Sequence, residues 1–127
     1  MEKAKKGNFR KFTTSSGKQV LAGKDAEQNE KLVWQADANE IVLHTKSPGS
    51  PFCNIKGRAS EKDIKEAAVF CARYSQEWKK AKEKKDVLVH YFKGRDIYKE
   101  MGMKTGTFSV KKFKEIKIRK EDIENLK

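Results

Sequence analysis

The spacing of apolar residues changes several times along the chain, and each change predicts an element. Phe9 and Phe12 within residues 8–13, then Val20, Leu21 and Ala22 within 19–22, predict two short strands joined by the turn Ser15-Ser16-Gly17. Phe9 and Phe12 break strict alternation, which points to a bulge. Asp25 can accept the free N–H groups of a first helical turn, so a short helix is predicted over 26–35 with Leu32 and Val33 facing the core. The β-branched run at 41–45, and Cys53 with Ile55 within 52–56, predict two further strands. Lys46-Ser47-Pro48-Gly49-Ser50-Pro51 between them is a loop.

Ile64, Ala67, Ala68, Cys71, Tyr74 and Trp78 recur at helical spacing, an apolar stripe that predicts one long helix from Ser60 to about residue 84. Ser60 and Asp63 form its capping box, with Asp in place of the usual Glu. Residues 87–92 are apolar on both faces, as a central strand would be. Residues 95–103 suggest a loop with one helical turn, 107–112 a strand with Phe108 and Val110 on one face, and 113–118 a last strand ending on Ile116 and Ile118. Strands and helices do not alternate, so the expected class is α+β: a mostly antiparallel or mixed sheet packed on one long and one short helix.

The 127 residues suffice for one core, so a single domain is expected over 8–120, between a loose lysine-rich arm at 1–7 and a carboxy-terminal tail at 121–127. Lys and Arg total 30 against 18 Asp and Glu, a formal charge of +12 for which phosphate is the obvious counter-charge. A charge-rich surface serving only stability at high temperature would lie near balance. Part of the excess has a structural reading, because residues 78–85 would fall at the negative end of the long helix dipole. No stretch approaches the roughly 20 apolar residues of a membrane span, and no hydrophobic signal core follows the basic start, so an intracellular, cytoplasmic protein is expected. Cys53 and Cys71 are too few and too far apart for a four-thiolate zinc site or a disulfide framework, and are expected as reduced core residues.

His44 and His90 are the two histidines, and neither sits in a catalytic or metal-binding motif, so no enzyme activity, metal or cofactor is expected. Gly102-Met103-Lys104-Thr105-Gly106 lacks the upstream glycine and spacing of a nucleotide-binding P-loop. Binding chemistry is better represented. Cations cluster in the amino arm, in 78–85 and in 111–120, and two clusters converging on one surface would make a phosphate track whose affinity falls with salt. In the loop after His44, Gly49 lets the backbone approach a phosphate, while His44, Lys46 and Ser50 can donate to one; the alternative is a plain Pro-Gly turn between strands. Tyr91, Phe92 and Tyr98 are available for base stacking, with core packing as their alternative. These residues by themselves imply a basic α+β domain that binds polyanions.

Two segments sharpen that. Gly23-Lys24-Asp25-Ala26-Glu27-Gln28-Asn29-Glu30, and His44-Thr45-Lys46 followed by Pro48-Gly49-Ser50, resemble the two signatures of the NFACT-R domain, the carboxy-terminal module of the fibronectin-binding-protein-like factors of ribosome-associated quality control. Glu66-Ala67-Ala68, Tyr74-Ser75 and the Val87-x-Val89-x-Tyr91 strand have the family's character, and Lys99, Gly102 and Gly106 keep its spacing although Glu100 and Thr105 stand where it has prolines. The resemblance runs from Phe9 to Ile118 and is to the small stand-alone form, since the other domains of the full-length factors do not fit in 127 residues. It implies binding to tRNA or ribosomal RNA, as an adaptor in translation quality control or RNA modification. Lys24, Asn29, His44, Thr45, Lys46, Ser50 and Lys104 are then the candidate RNA-binding residues, with Asn29 and His44 alternatively fixing the helix start and the loop. The second reading is a protein adaptor that docks on the ribosome or an RNA-modifying enzyme.

Overall fold

Strands β1 (Arg10–Thr13) and β2 (Gln19–Ala22) form the expected hairpin. The structure, a computed structural model, describes residues 9–126; the basic arm expected over 1–7 lies outside the described residues. β2 pairs with β4 (Cys53–Ile55), β4 with β3 (Ile41–Thr45), β3 with β5 (Val87–Lys93) and β5 with β8 (Lys114–Ile118). Every pairing is antiparallel, giving one six-stranded sheet in the order β1-β2-β4-β3-β5-β8. The α+β class is therefore observed, with a sheet that is wholly antiparallel rather than mixed.

Because side chains alternate along a strand, the two faces of this sheet have different compositions. Val20, Leu43, Cys53, Ile55, Val87, Val89 and Ile118 point to the face covered by α2 (Glu61–Arg73), where they meet Ala67, Ala68, Phe70 and Cys71. Leu21, Val42, Phe52 and Phe92 point the other way, to Leu32 and Val33 of α1 (Ala26–Gln35). Asp25 caps α1, its carboxylate accepting the Gln28 N–H at 2.9 Å. The capping box at the start of α2 is present, and Asp63 also accepts the hydroxyls of Thr14 and Ser16 from the β1–β2 turn. The Ser16 hydroxyl and the Ser60 N–H, outweighing desolvation, hold the Asp63 carboxyl well below the usual range. Both cysteines are buried free thiols, and burial, reinforced by Cys71 alongside, pushes the Cys53 thiol up.

The single long helix expected from Ser60 to about residue 84 is instead two. α2 ends at Arg73 and α3 (Gln76–Lys80) starts anew, because the buried Ser75 hydroxyl donates to the Ala72 carbonyl at 2.7 Å and accepts the Trp78 N–H at 3.2 Å. An apolar stripe can survive such a break, and Trp78 is still buried. Residues 82–85 consequently lie beyond the helix, so the dipole accounts for only Lys79 and Lys80. Lys84 acts more directly: its ammonium donates to the Trp78 carbonyl at 2.6 Å and lies 5.0 Å over the Trp78 ring.

The strand expected over 107–112 shrinks to β7 (Ser109–Val110), which pairs with β6 (Ile97–Tyr98) in a separate two-stranded ribbon after a turn of 3₁₀ helix at Gly94–Asp96. Residues 121–127, expected as a tail, fall partly in α4 (Lys120–Glu124), whose Ile123 is fully buried in the α2-side core; Lys127 lies outside the described residues.

Candidate nucleic-acid interface

β2 and β3 end, and β4 begins, at one end of the sheet, and the chain around those ends encloses a groove of about 700 Å³. Residues 23–26 and Asn29 contribute one part of its lining, and residues 44–46 and 48–52 another. The two signature loops therefore share one groove. Arg10 and Lys79 add cations from β1 and α3, each lying over the Tyr74 ring, at 4.2 and 5.8 Å from its centroid. Lys24 and Lys46 are exposed, and among the described residues neither has an ion-pair partner. Asp25 is the one acid among the described lining residues, and its carboxylate is already committed to the cap of α1.

Several signature residues build the loops rather than face the groove with free donors. Asn29 Oδ1 accepts the Phe52 N–H at 3.1 Å, and the Gly23 N–H donates to the Phe52 carbonyl at 3.1 Å. A Cβ on Gly23 would collide with Asn29 Oδ1, so glycine there is what lets the two loops close together. The Thr45 hydroxyl donates to the Ser47 carbonyl at 2.7 Å. Ser50 Oγ, a candidate phosphate donor, accepts the Thr45 N–H and gives its own proton to the Pro51 carbonyl, both at 3.0 Å. The Gly49 carbonyl accepts the Gln76 N–H at 2.9 Å, docking the loop on the first turn of α3.

His44 is the exception. Its Nδ1 lies 2.7 Å from the Thr45 carbonyl, which can only accept, so Nδ1 carries a proton. The ring packs 4.5 Å from Phe52, and burial, with His90 opposite on β5, lowers its pKa below the ordinary value against the opposing pull of the Thr45 carbonyl. His44 is thus the neutral Nδ1–H tautomer near pH 7. Its Nε2 then presents a lone pair, an acceptor where the sequence suggested a donor.

Residues 105–108 form another wall, with His90, Phe92, Val110 and Phe113 beyond them. Glu30 on α1 holds that segment, accepting the Lys99 ammonium and the Gly106 N–H, each at 2.7 Å. Desolvation would raise the Glu30 carboxyl, but the Gly106 N–H, Lys99 and the Trp34 indole outweigh it and hold its pKa low. Gly106 has φ +82°, and a Cβ there would lie 2.8 Å from the Ala26 carbonyl oxygen, so the loop docks on α1 without the prolines that Glu100 and Thr105 replace. Lys104 is exposed and outside the groove lining; its carbonyl accepts from Lys99 and from the Thr107 hydroxyl. Among the described residues no three His, Cys, Asp or Glu side chains group to hold a metal ion, and no helix is long and apolar enough to cross a membrane.

Residues 8–112 match the family model described as "NFACT protein RNA binding domain". The chain belongs to that family. The domain is 38% identical over 97 residues to the Rqc2 homolog RqcH of Bacillus subtilis, covering 75% of this chain and 16% of the relative. It is 38% identical over 73 residues to the archaeal Rqc2 homolog aRqcH of Methanocaldococcus jannaschii, covering 54% of this chain and 11% of that one. Its fold superposes with a TM-score of 0.79 on the carboxy-terminal part of the fibronectin/fibrinogen-binding protein of Streptococcus suis, at 22% identity, over 94% of this chain and 49% of the other. The NFACT RNA-binding domain here thus spans a small part of the length of the relatives it matches.

Four other groove residues of this NFACT domain were not among the expected site residues, Arg10, Tyr74, Phe108 and Phe113, and Lys79 was offered only as part of the basic cluster 78–85. Of the aromatics the sequence offered for stacking, Phe92 is buried, Tyr91 is half-buried and Tyr98 is on the ribbon. Phe113 is 52% exposed and stacks on His90 at 4.1 Å between centroids. A signal for it was available: Ile116 and Ile118 face α2, so period-two alternation sends Phe113, Glu115 and Lys117 to the opposite face.

Proposed function

We propose that this domain binds RNA, tRNA or ribosomal RNA, in the groove between the two signature loops, as a cytoplasmic adaptor in translation quality control or RNA modification. The observation that carries this is the convergence of residues 23–29 and 44–50 on one groove with Arg10, Lys24, Lys46 and Lys79 in its lining. Cations in that arrangement neutralise phosphates and release counterions. Lys24 and Lys46 are the phosphate contacts, whereas Asn29, Thr45 and Ser50 act by holding the loops that present them. Binding rather than turnover fits the same geometry, since the Thr45 and Ser50 hydroxyls, the candidate nucleophiles of the loop, are committed to backbone carbonyls. The two relatives, both Rqc2 homologs, support the quality-control setting.

A titration of the full chain against tRNA over a range of salt tests the reading. Affinity falls as salt rises, and the double variant Lys24→Glu, Lys46→Glu weakens binding at least tenfold at low salt. The slope of log K against log salt flattens by about 1.4–1.8, the loss of two phosphate contacts. Binding that is indifferent to salt, or a double variant that binds like the parent, overturns it.

A further inference from the structure

Phe113 lines the groove with one ring face against His90, and the residue is about half exposed. His90 is held in turn: its Nε2 lies 2.8 Å from a Glu115 carboxylate oxygen that accepts its proton. His90 is also the register partner of His44 across β5 and β3, so their side chains are neighbours on one face of the sheet. The ring series Phe113, His90, His44, Phe52 and Phe108 all lines the groove, with His44–Phe52 at 4.5 Å and Phe52–Phe108 at 5.7 Å between centroids. Lys111, Lys112 and Lys114, all exposed, flank Phe113. Phe113 also borders a second cleft, where Lys93, Arg95, Lys112 and Lys114 outnumber Glu61 and Asp96, so cations continue on its far side.

These features fit together only for one kind of polyanion. A groove of about 700 Å³ falls within the range of small-molecule pockets, about 300–1,000 Å³, so a single base can enter it while a base-paired helix can touch only its rim. A half-exposed aromatic ring already stacked on one side suits an unpaired base, which stacks on aromatic side chains. Within the same groove His44 Nε2 makes no hydrogen bond among the described residues and is not sealed from solvent. A lone pair there cannot bind phosphate oxygen, which is itself an acceptor, but it can accept a hydrogen bond from a ribose 2′-hydroxyl.

We propose that the groove is a site for unpaired ribonucleotides, with one base stacked on Phe113 and a neighbouring ribose 2′-hydroxyl donating to His44 Nε2. This rests on the RNA-binding reading above and names its substrate class: single-stranded RNA, told from duplex by the ring and from DNA by the imidazole. Glu115 opposes phosphate near the ring, and its bond to His90 leaves Lys111, Lys112 and Lys114 to carry the backbone.

Fluorescence anisotropy of the full chain tests this with a short labelled oligouridylate, its deoxy analogue of equal length and a blunt RNA duplex. The oligouridylate binds tightest. Phe113→Ala weakens both single strands roughly tenfold, the scale of one base stacked on an aromatic ring. His44→Phe keeps the ring packing on Phe52 and lowers affinity for the oligouridylate about fivefold more than for the deoxy analogue, as loss of one hydrogen bond does. Equal binding of duplex and single strand, or a Phe113→Ala protein that binds like the parent, overturns the proposal. If charge reversal at Lys24 and Lys46 still weakens RNA in that case, the groove reading survives and only the platform falls; if neither change matters, both fall.

Discussion

The two faces of the six-stranded sheet are built from alternate residues of the same strands, yet one is sealed and the other is left partly open. On the α2 side, aliphatic residues of five strands meet α2 and α4, and Leu43, Ile55, Val87, Val89, Ile118 and Ile123 are at most 1% exposed. On the α1 side, α1 has ten residues and covers Leu21, Val42 and Phe92, while the strip carrying His44, His90 and Phe113 lies against the groove. Buried Asp63 and Ser75 on the α2 side and Asn54 on the α1 side all have their hydrogen bonds satisfied, whereas His44, beside the groove, keeps an acceptor free. The difference teaches that one helix carries the stability of this fold and the shorter helix leaves room for a ligand.

The largest effect should come from the sealed face. Leu43→Ala removes a fully buried side chain from β3 at its contact with α2 and should cost about 2–5 kcal/mol in chemical denaturation, from lost transfer energy and the cavity left behind. RNA affinity of the still-folded fraction should not change. A Leu43→Ala protein that is fully stable but binds RNA poorly would erase the division between the faces.

A smaller effect belongs on the border between them. Asn29→Ala leaves the Phe52 N–H without its side-chain acceptor, and should cost about 1–3 kcal/mol. The salt slope of RNA binding should stay near that of the parent, because no phosphate contact is removed. A variant with normal stability and a flattened slope would make Asn29 a direct contact and move the border into the groove.

How much of each face was legible follows from the kind of signal each carries. The sealed face was legible because aliphatic periodicity reports burial: the ranges of α1, β2 and β3 are those expected, and Cys71 is core as the stripe required. The break at Ser75 was not, since a serine inside a helical stripe looks the same whether its hydroxyl faces solvent or caps a new turn. On the open face, the residues of the loop after His44 left a phosphate site and a plain turn open, and the resemblance to the family is what pointed to RNA and paired that loop with residues 23–30. Arg10 was invisible there, and Lys79 legible only within the basic run 78–85, because their approach to Tyr74 is long-range packing between β1 and α3. Phe113 was hidden for the opposite reason. It sits next to a strand whose isoleucines invite every apolar neighbour into the core, and only the parity of its position separates it from them.

The subtlest test concerns His44, whose imidazole belongs to the open face but is partly buried like a core residue. Its folded pKa lies below the ordinary value of 6.5, through burial and then the nearby His90, while Arg10, Lys24, Lys46 and Lys79 share the groove and Asp25 is the one described acid in its lining. A histidine with a lowered folded pKa contributes stability that is fully present above its unfolded value and is lost as pH falls from there through the folded pKa. An NMR titration of the His44 ring should therefore show a midpoint below 6.5, and His44→Phe should abolish that part of the pH dependence of stability. RNA binding separates the two possible uses of the ring. If His44 donated to phosphate, protonation would strengthen binding to RNA and DNA alike as pH falls. As a lone-pair acceptor for a ribose hydroxyl it is silenced by a proton, so the preference for RNA over DNA should shrink as His44 titrates, while the lysine-driven affinity common to both is kept. A preference that grows on acidification would return His44 to the phosphate and leave the open face with charge and stacking alone.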